Sequence, residues 1–233
     1  MGDGALEPAW RQAGLLLLIG GAASAVSTAL HPVTVDPLDA AAVLDAVRDA
    51  PRRWVAVHVL LGFGVAAWTL GWYAAYRALG ACGRARWSGP GSMLAVAALA
   101  VWVPLLAAEA AGLPLLARAT APGTAPGWWR VAWPVVLAGG YAATWLYWLA
   151  GLAVAWDLAP RPGAPPIPVP SPPLAWSLAA LLPGLPGMVL AWLWPALAVP
   201  ILVATLVPGA LWALVLAWRM ARPPGAVGRR PRG

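Results

Sequence analysis

The chain has 233 residues, of which 61% are hydrophobic and only 10% charged, with a mean hydropathy of +0.74. A soluble domain carries about a quarter charged residues, so most of this surface must face something other than water, and an ordinary soluble globular domain is excluded. The net charge of +7 comes from arginine alone, lysine being absent; the arginines sit at the ends of apolar runs, not on the continuous basic face that nucleic acid requires, and the missing lysine removes Schiff-base and lysine-nucleophile chemistry.

In chain order, the first apolar run predicts a helix over 13–31. Asp3 and Glu7 precede it against a single Arg11, the wrong sign for the n-region of a signal peptide, so a retained first helix is expected. Gly20, Gly21, Ser24 and Thr28 give it a small-residue face for close packing.

The next stretch, "HPVTVDPLDAAAVLDAVRDAP" over 31–51, is the most polar of the chain. It reads as a short amphipathic helix with Asp36 as N-cap, Pro37 at the first helical position, Asp39 in the first turn and Pro51 at its end. Ala40, Val43, Leu44 and Val47 form one face, and Asp45, Arg48, Asp49 and Arg52 the other. Asp45 is spaced to pair with Arg48, and Asp49 with Arg52 or Arg53. The charged face is either simply solvated, or Asp45, Arg48, Asp49 and Arg52 belong to a lid over a polar site.

Three further spanning helices are predicted over 54–79, 92–117 and 131–157, each long enough for the ~30 Å of a hydrocarbon core. The single Cys82, in a loop, permits neither an internal disulfide nor a cysteine metal knuckle. "PRPGAPPIPVPSPP", residues 160–173, has eight prolines in fourteen positions and predicts an extended connector. Residues 174–218 carry no charge. One helix of that length would overshoot a bilayer about twofold, so the run is divided at "WLWP", 192–195, into helices 174–191 and 197–219, with Pro183, Pro186, Pro200 and Pro208 kinking or breaking them. A basic tail follows over 220–233. The fold class expected is all-α: a polytopic transmembrane bundle of about six helices forming a single transmembrane domain, with a short amphipathic extracytoplasmic helix between helices 1 and 2.

With the N-terminus inside, ten arginines fall on the cytoplasmic side and five outside. Positive charge favours the cytoplasm, so both termini are expected there, in a multi-pass protein of the cytoplasmic membrane. Tryptophans at 10, 54, 87, 128, 129, 156, 176 and 218 fall near helix ends, as an aromatic belt does.

In this topology three ionisable side chains lie in the outer half of the membrane: His31 at the end of helix 1, His58 ~6 Å below Trp54 in helix 2, and Glu109 ~12 Å deep in helix 3. A carboxylate at that depth is costly unless neutral, paired or reached by water, and defaults to function. The simplest arrangement points Glu109 toward His58, with Tyr141 or Thr144 nearby, making His31, His58, Glu109, Tyr141 and Thr144 the candidate ligand pocket. His31 can alternatively bond the last carbonyls of its helix, His58 can be a packing residue, and Glu109 can bridge two helices. Trp133, Tyr141, Trp145 and Trp148 form a stripe of helix 4 that suits packing better than a cofactor.

The "HP" that ends helix 1, the acidic loop, the "W…H" opening helix 2, the glutamate followed by "GLPLLA" and the closing "GALWALVLAWRM" are similar to a broad group of six-helix membrane proteins of high-GC bacteria. That resemblance implies the helix count and no activity, cofactor or site residue.

Several functions fit these residues. The first is a non-catalytic membrane protein that binds or passes a small ligand or a proton at the outer pocket; "PGLPG", 183–187, near mid-membrane, would expose carbonyls as transport sites do. A second is a haem or metal protein using His31 and His58, with Glu109 as a carboxylate ligand. A third is an outer-leaflet enzyme with Glu109 or His58 as general base; no catalytic residue is assigned, because no serine, cysteine or lysine nucleophile is placed to cooperate. A fourth is a scaffold or accessory subunit. The expected partners are the lipid bilayer and, for the scaffold, other membrane subunits or further copies of the chain.

Overall fold

The computed structural model describes residues 3–32, 36–169 and 171–222; most of the basic tail, from 223 on, lies outside the described residues. Among those described, regular structure is entirely helical. Helix α1 is Asp3–Leu30, the short α2 is Ala40–Asp49 and α3 is Pro51–Ala81. Helix α4, Ser88–Ala107, runs through a π turn, Ala108–Gly112, into α5, Leu113–Ala119. Then come α6, Gly127–Leu158; α7, Leu174–Leu181; α8, Gly184–Leu193; and α9, Ala198–Ala221. Together they form six helices long and apolar enough to cross a membrane: Glu7–Leu30, Pro51–Ala81, Ser88–Ala119, Gly127–Leu158, Leu174–Leu193 and Pro195–Ala221. The division at "WLWP" falls where the sequence places it. Most of the long helices begin or end several residues beyond the apolar runs, because polar turns such as Pro51–Arg53 continue the helix.

The outside of this bundle is as apolar as its inside. Met93 and Trp176 are each 74% exposed, and Phe63 72%. Water would tolerate scattered side chains of this kind but not a belt of them.

Glycine sets the spacing of the first helices. A Cβ on Gly20 would lie 2.7 Å from the carbonyl oxygen of Gly64 and 2.7 Å from the amide of Trp68; one on Gly64 would lie 3.0 Å from the carbonyl oxygen of Gly20. The backbones of α1 and α3 therefore touch, and Ser27 completes the contact with a 2.7 Å hydrogen bond to the carbonyl of Val57. On its other side α1 lies against α9, where Gly14 meets the backbone of Ala217 and Ala221. The small-residue face of the first helix is the seam of the bundle.

The break after α7 is a packing device. Gly184 and Gly209 leave room for the indole of Trp148, Gly187 leaves room for Thr205, and Trp145 Nε1 donates to the carbonyl of Leu185 at 3.2 Å. The "PGLPG" segment is thus filled by tryptophan and does not present a free carbonyl site. Among its described residues the 160–173 segment has no helix, yet its Val169 is buried in the main core, so the connector is laid against the bundle.

The amphipathic loop helix starts later than the sequence suggests. Asp39, not Asp36, is the N-cap: its Oδ1 accepts the amides of Ala41 and Ala42. Asp36 instead closes the preceding turn by accepting the amide of Leu38 at 2.8 Å. The loop helix ends at Asp49, just before Pro51 as expected, and Pro51 also opens α3, at a position where its missing N–H costs nothing. The apolar face is as expected, with Ala40, Val43, Leu44 and Val47 buried against Leu113, Ala117, Trp129 and Trp133.

At the opposite end, Asp157 is buried and its Oδ2 accepts the amides of Trp87 and Ser88, both at 2.7 Å. It caps the N-terminus of α4 from another helix, where a negative charge also complements the helix dipole. Two changes test this packing. Gly64→Val should cost about 1–3 kcal/mol through overpacking, read as a lower apparent Tm in detergent. Asp157→Ala, which leaves two amides unpaired, should cost about 1–3 kcal/mol, and Asp157→Asn distinctly less because an oxygen acceptor is kept.

Candidate functional site

The site begins with a fault in a helical ladder. In the π turn the amide of Leu113 bonds the carbonyl of Ala108, five residues back. The next donor in that register is residue 114, a proline, which has no N–H. The carbonyl of Glu109 is therefore left without a helical donor. Trp54, in the first turn of α3, supplies one: its Nε1 donates to Glu109 O at 3.0 Å. π turns of this kind are frequent at functional sites because they re-aim a side chain, and here the Glu109 side chain is directed toward α3.

Glu109 Oε2 lies 2.8 Å from His58 Nε2. His58 is buried, and its Nδ1 is 2.7 Å from the carbonyl of Trp54. A carbonyl only accepts, so Nδ1 carries the proton of the neutral ring. The indole of Trp54 stacks on the His58 ring, with centroids 4.5 Å apart. One tryptophan thus holds both members of the pair, Glu109 through its backbone and His58 through its ring.

His31 repeats the pattern. Its Nδ1 is 2.7 Å from the carbonyl of Pro32, and its Nε2 faces His58 Nε2 at 3.4 Å. The carbonyl of Pro32 can only accept, so Nδ1 is the donor, and in the neutral ring Nε2 is left as an acceptor facing His58. His31 does not cap α1, the alternative role open to it in the sequence; Arg53 donates to the carbonyl of Leu30 instead.

Both Nδ1 atoms are thus committed as donors, and the three atoms that converge are His31 Nε2, His58 Nε2 and Glu109 Oε2. A hydrogen bond at 2.8 Å between His58 and Glu109 needs one proton between them, on whichever atom it resides. The trio is a neutral cluster holding one exchangeable proton, with the lone pair of His31 beside it. Among the described residues, no group of three or more His, Cys, Asp and Glu side chains is arranged to hold a metal ion.

The trio forms the polar end of a cavity of about 570 Å³. All five residues of the candidate pocket, His31, His58, Glu109, Tyr141 and Thr144, line it. Thr144 spends its hydroxyl on the carbonyl of Gly140 at 2.9 Å. Tyr141 packs edge-on against Trp192. The remaining walls are largely apolar and include Trp102, Trp133 and Met188, with Thr28 as one further polar residue. Through Val199 and Val203 the cavity reaches the exposed side of α9.

The four expected lid residues are placed elsewhere. None of Asp45, Arg48, Asp49 and Arg52 lines the cavity; α2 contributes Val43, and the turn before it Pro37. Arg48 pairs with Asp45 as its spacing suggests, but it also donates to the carbonyls of Ala117 and Thr120, and Asp45 accepts the amide of Gly123. The charged face is a clamp on the end of α5. Asp49 forms an ion pair with neither Arg52 nor Arg53 among the described residues.

Two contributors escaped the sequence. Trp54 reads as a belt tryptophan, although its place four residues before His58 was the available signal. Trp133 reads as packing, yet its Nε1 donates to the carbonyl of Pro37 at 2.6 Å and pins the roof of the cavity.

No family model, no curated protein and no solved structure matches this chain. Its function is therefore argued from the site alone.

Removing the donor to Glu109 O tests the local logic. Trp54→Phe should destabilise the protein by about 1–3 kcal/mol. Combined with Pro114→Ala, which restores a backbone N–H, the loss should be smaller than the sum of the two single changes; thermal unfolding of the four proteins reads the difference.

Proposed function

We propose that this is a multi-pass protein of the cytoplasmic membrane that binds a small ligand in the cavity beside His31, His58 and Glu109, at the outward-facing end of the bundle. The excess of arginines on loops at the other end and on the tail supports cytoplasmic termini and an extracytoplasmic α2. The observation that carries the reading is the 2.8 Å contact of His58 with Glu109, with His31 Nε2 at 3.4 Å, at the head of a largely apolar cavity. An ionisable cluster inside the membrane is a costly feature that packing alone does not require. Its single proton can be handed to, or exchanged for, a polar group of the ligand, while the apolar walls hold the ligand's body. Among the described residues that line the cavity there is no serine, cysteine or lysine, which favours a binding protein over an enzyme that uses a nucleophile.

The test uses purified full-length protein in detergent and a panel of neutral, anionic and cationic small amphiphiles. Because Trp54, Trp102 and Trp133 line the cavity, a bound ligand should change tryptophan fluorescence and raise the apparent Tm. Glu109→Gln and His58→Ala should weaken binding by about tenfold or more, as loss of a hydrogen bond to a charged group does. A protein that responds to no member of the panel and tolerates both substitutions is a scaffold, not a binding protein.

A further inference from the structure

Resting on that reading of the cavity, we infer that its ligand is a lipophilic ammonium cation, whose N–H donors take His31 Nε2, His58 Nε2 and Glu109 Oε2 in exchange for the proton held between His58 and Glu109.

Within the trio and the tryptophans that hold it the donors are already spent, although the hydroxyls of Thr28 and Tyr141 also belong to the lining. Both histidine Nδ1 atoms are committed to backbone carbonyls, as are the indole N–H groups of Trp54 and Trp133. The hydroxyl of Thr144 is spent on its own helix. What converges is three acceptors, and adjacent pairs 2.8 and 3.4 Å apart are close enough for one nitrogen to reach at ordinary hydrogen-bond length. An ammonium group supplies three donors and no acceptor.

Charge and wall chemistry agree. The cavity is lined by one carboxylate and by no arginine, so an anion would find no fixed cation to balance it in a poorly solvated place. Four aromatic side chains line the same cavity, those of Trp54, Trp102, Trp133 and Tyr141, and aromatic faces attract cations. Beyond them Leu137 and Leu202 suit an apolar body, and the opening toward the exposed Val199 and Val203 allows entry from the lipid side.

The exchange balances. The trio with its proton is neutral; when the cation enters, that proton leaves to water and the cluster becomes an anion that matches the ligand. The titratable or charged groups that line the cavity are His31 at the end of α1, His58 of α3, Glu109 of the π turn and Tyr141 of α6, with Arg53 of α3 close enough to act on His31. The lining residues of α8 and α9 carry none, and Asp45 and Arg48 of α2 are held by the end of α5 and the loop after it. Arg53 is engaged with the carbonyl of Leu30 and does not line the cavity.

The experiment compares 1-adamantylammonium with 1-adamantanol, which share one apolar cage and differ in the head group. Binding to full-length protein is followed by calorimetry in two buffers of different protonation enthalpy. The ammonium compound should bind about tenfold or more tightly than the alcohol, release about one proton, and weaken by up to about tenfold per pH unit as acid returns that proton to the trio. Glu109→Gln, checked for an unchanged elution volume, should abolish both the preference and the proton release. Equal or tighter binding of the alcohol, or cation binding without proton release in both wild type and Glu109→Gln, overturns the inference while leaving the cavity a ligand site. If neither compound nor any other amphiphile binds, the inference falls together with the reading beneath it.

Discussion

At Glu109 the helix loses one rung of its own hydrogen-bond ladder, and the unpaired carbonyl is the constraint on which the rest of the site depends. In an apolar setting such a group costs several kcal/mol unless a donor is found. Trp54 is that donor, and meeting this need fixes the α3 indole against the π turn. The same indole stacks on His58, which then meets Glu109 Oε2. A backbone deficiency created by Pro114 is thereby converted into a positioned acid and imidazole.

His31 reaches this pair because α1 and α3 touch along their length. Gly20 and Gly64 remove the side chains that would hold the helices apart, and Ser27 locks the register near the histidine end. A wider helix spacing would leave His58 and Glu109 paired but move His31 out of reach. The third acceptor of the cluster is thus a product of small residues well below it.

The sparse charges elsewhere share a task. Arg48 donates to carbonyls at the end of α5, Arg53 to the last carbonyl of α1 and Arg84 to the carbonyl of Ala159 just after α6. Asp157 takes amides at the start of α4. Cations stand at helix C-termini and an acid at an N-terminus, the arrangement that unpaired terminal groups and the helix dipole both favour. Arginines that read in the sequence as topology signals or as partners of Asp45 and Asp49 also act as caps between elements.

The apolar runs, the interrupting prolines and the amphipathic pattern of 40–47 determine by themselves an all-helical chain with six helices of membrane-crossing length, because helix length and face are local properties of composition and period. The clustering of His31, His58 and Glu109 at one level was legible too, since depth along a helix is residue number times rise. Only the tertiary structure decided which way these side chains turn, that Trp54 ties two of them together, that Asp39 caps the loop helix, and that the charged face of that helix clamps α5 and does not line the cavity beside the trio. Those outcomes depend on which unpaired backbone group meets which donor across helices, and no periodicity within a single segment records that pairing.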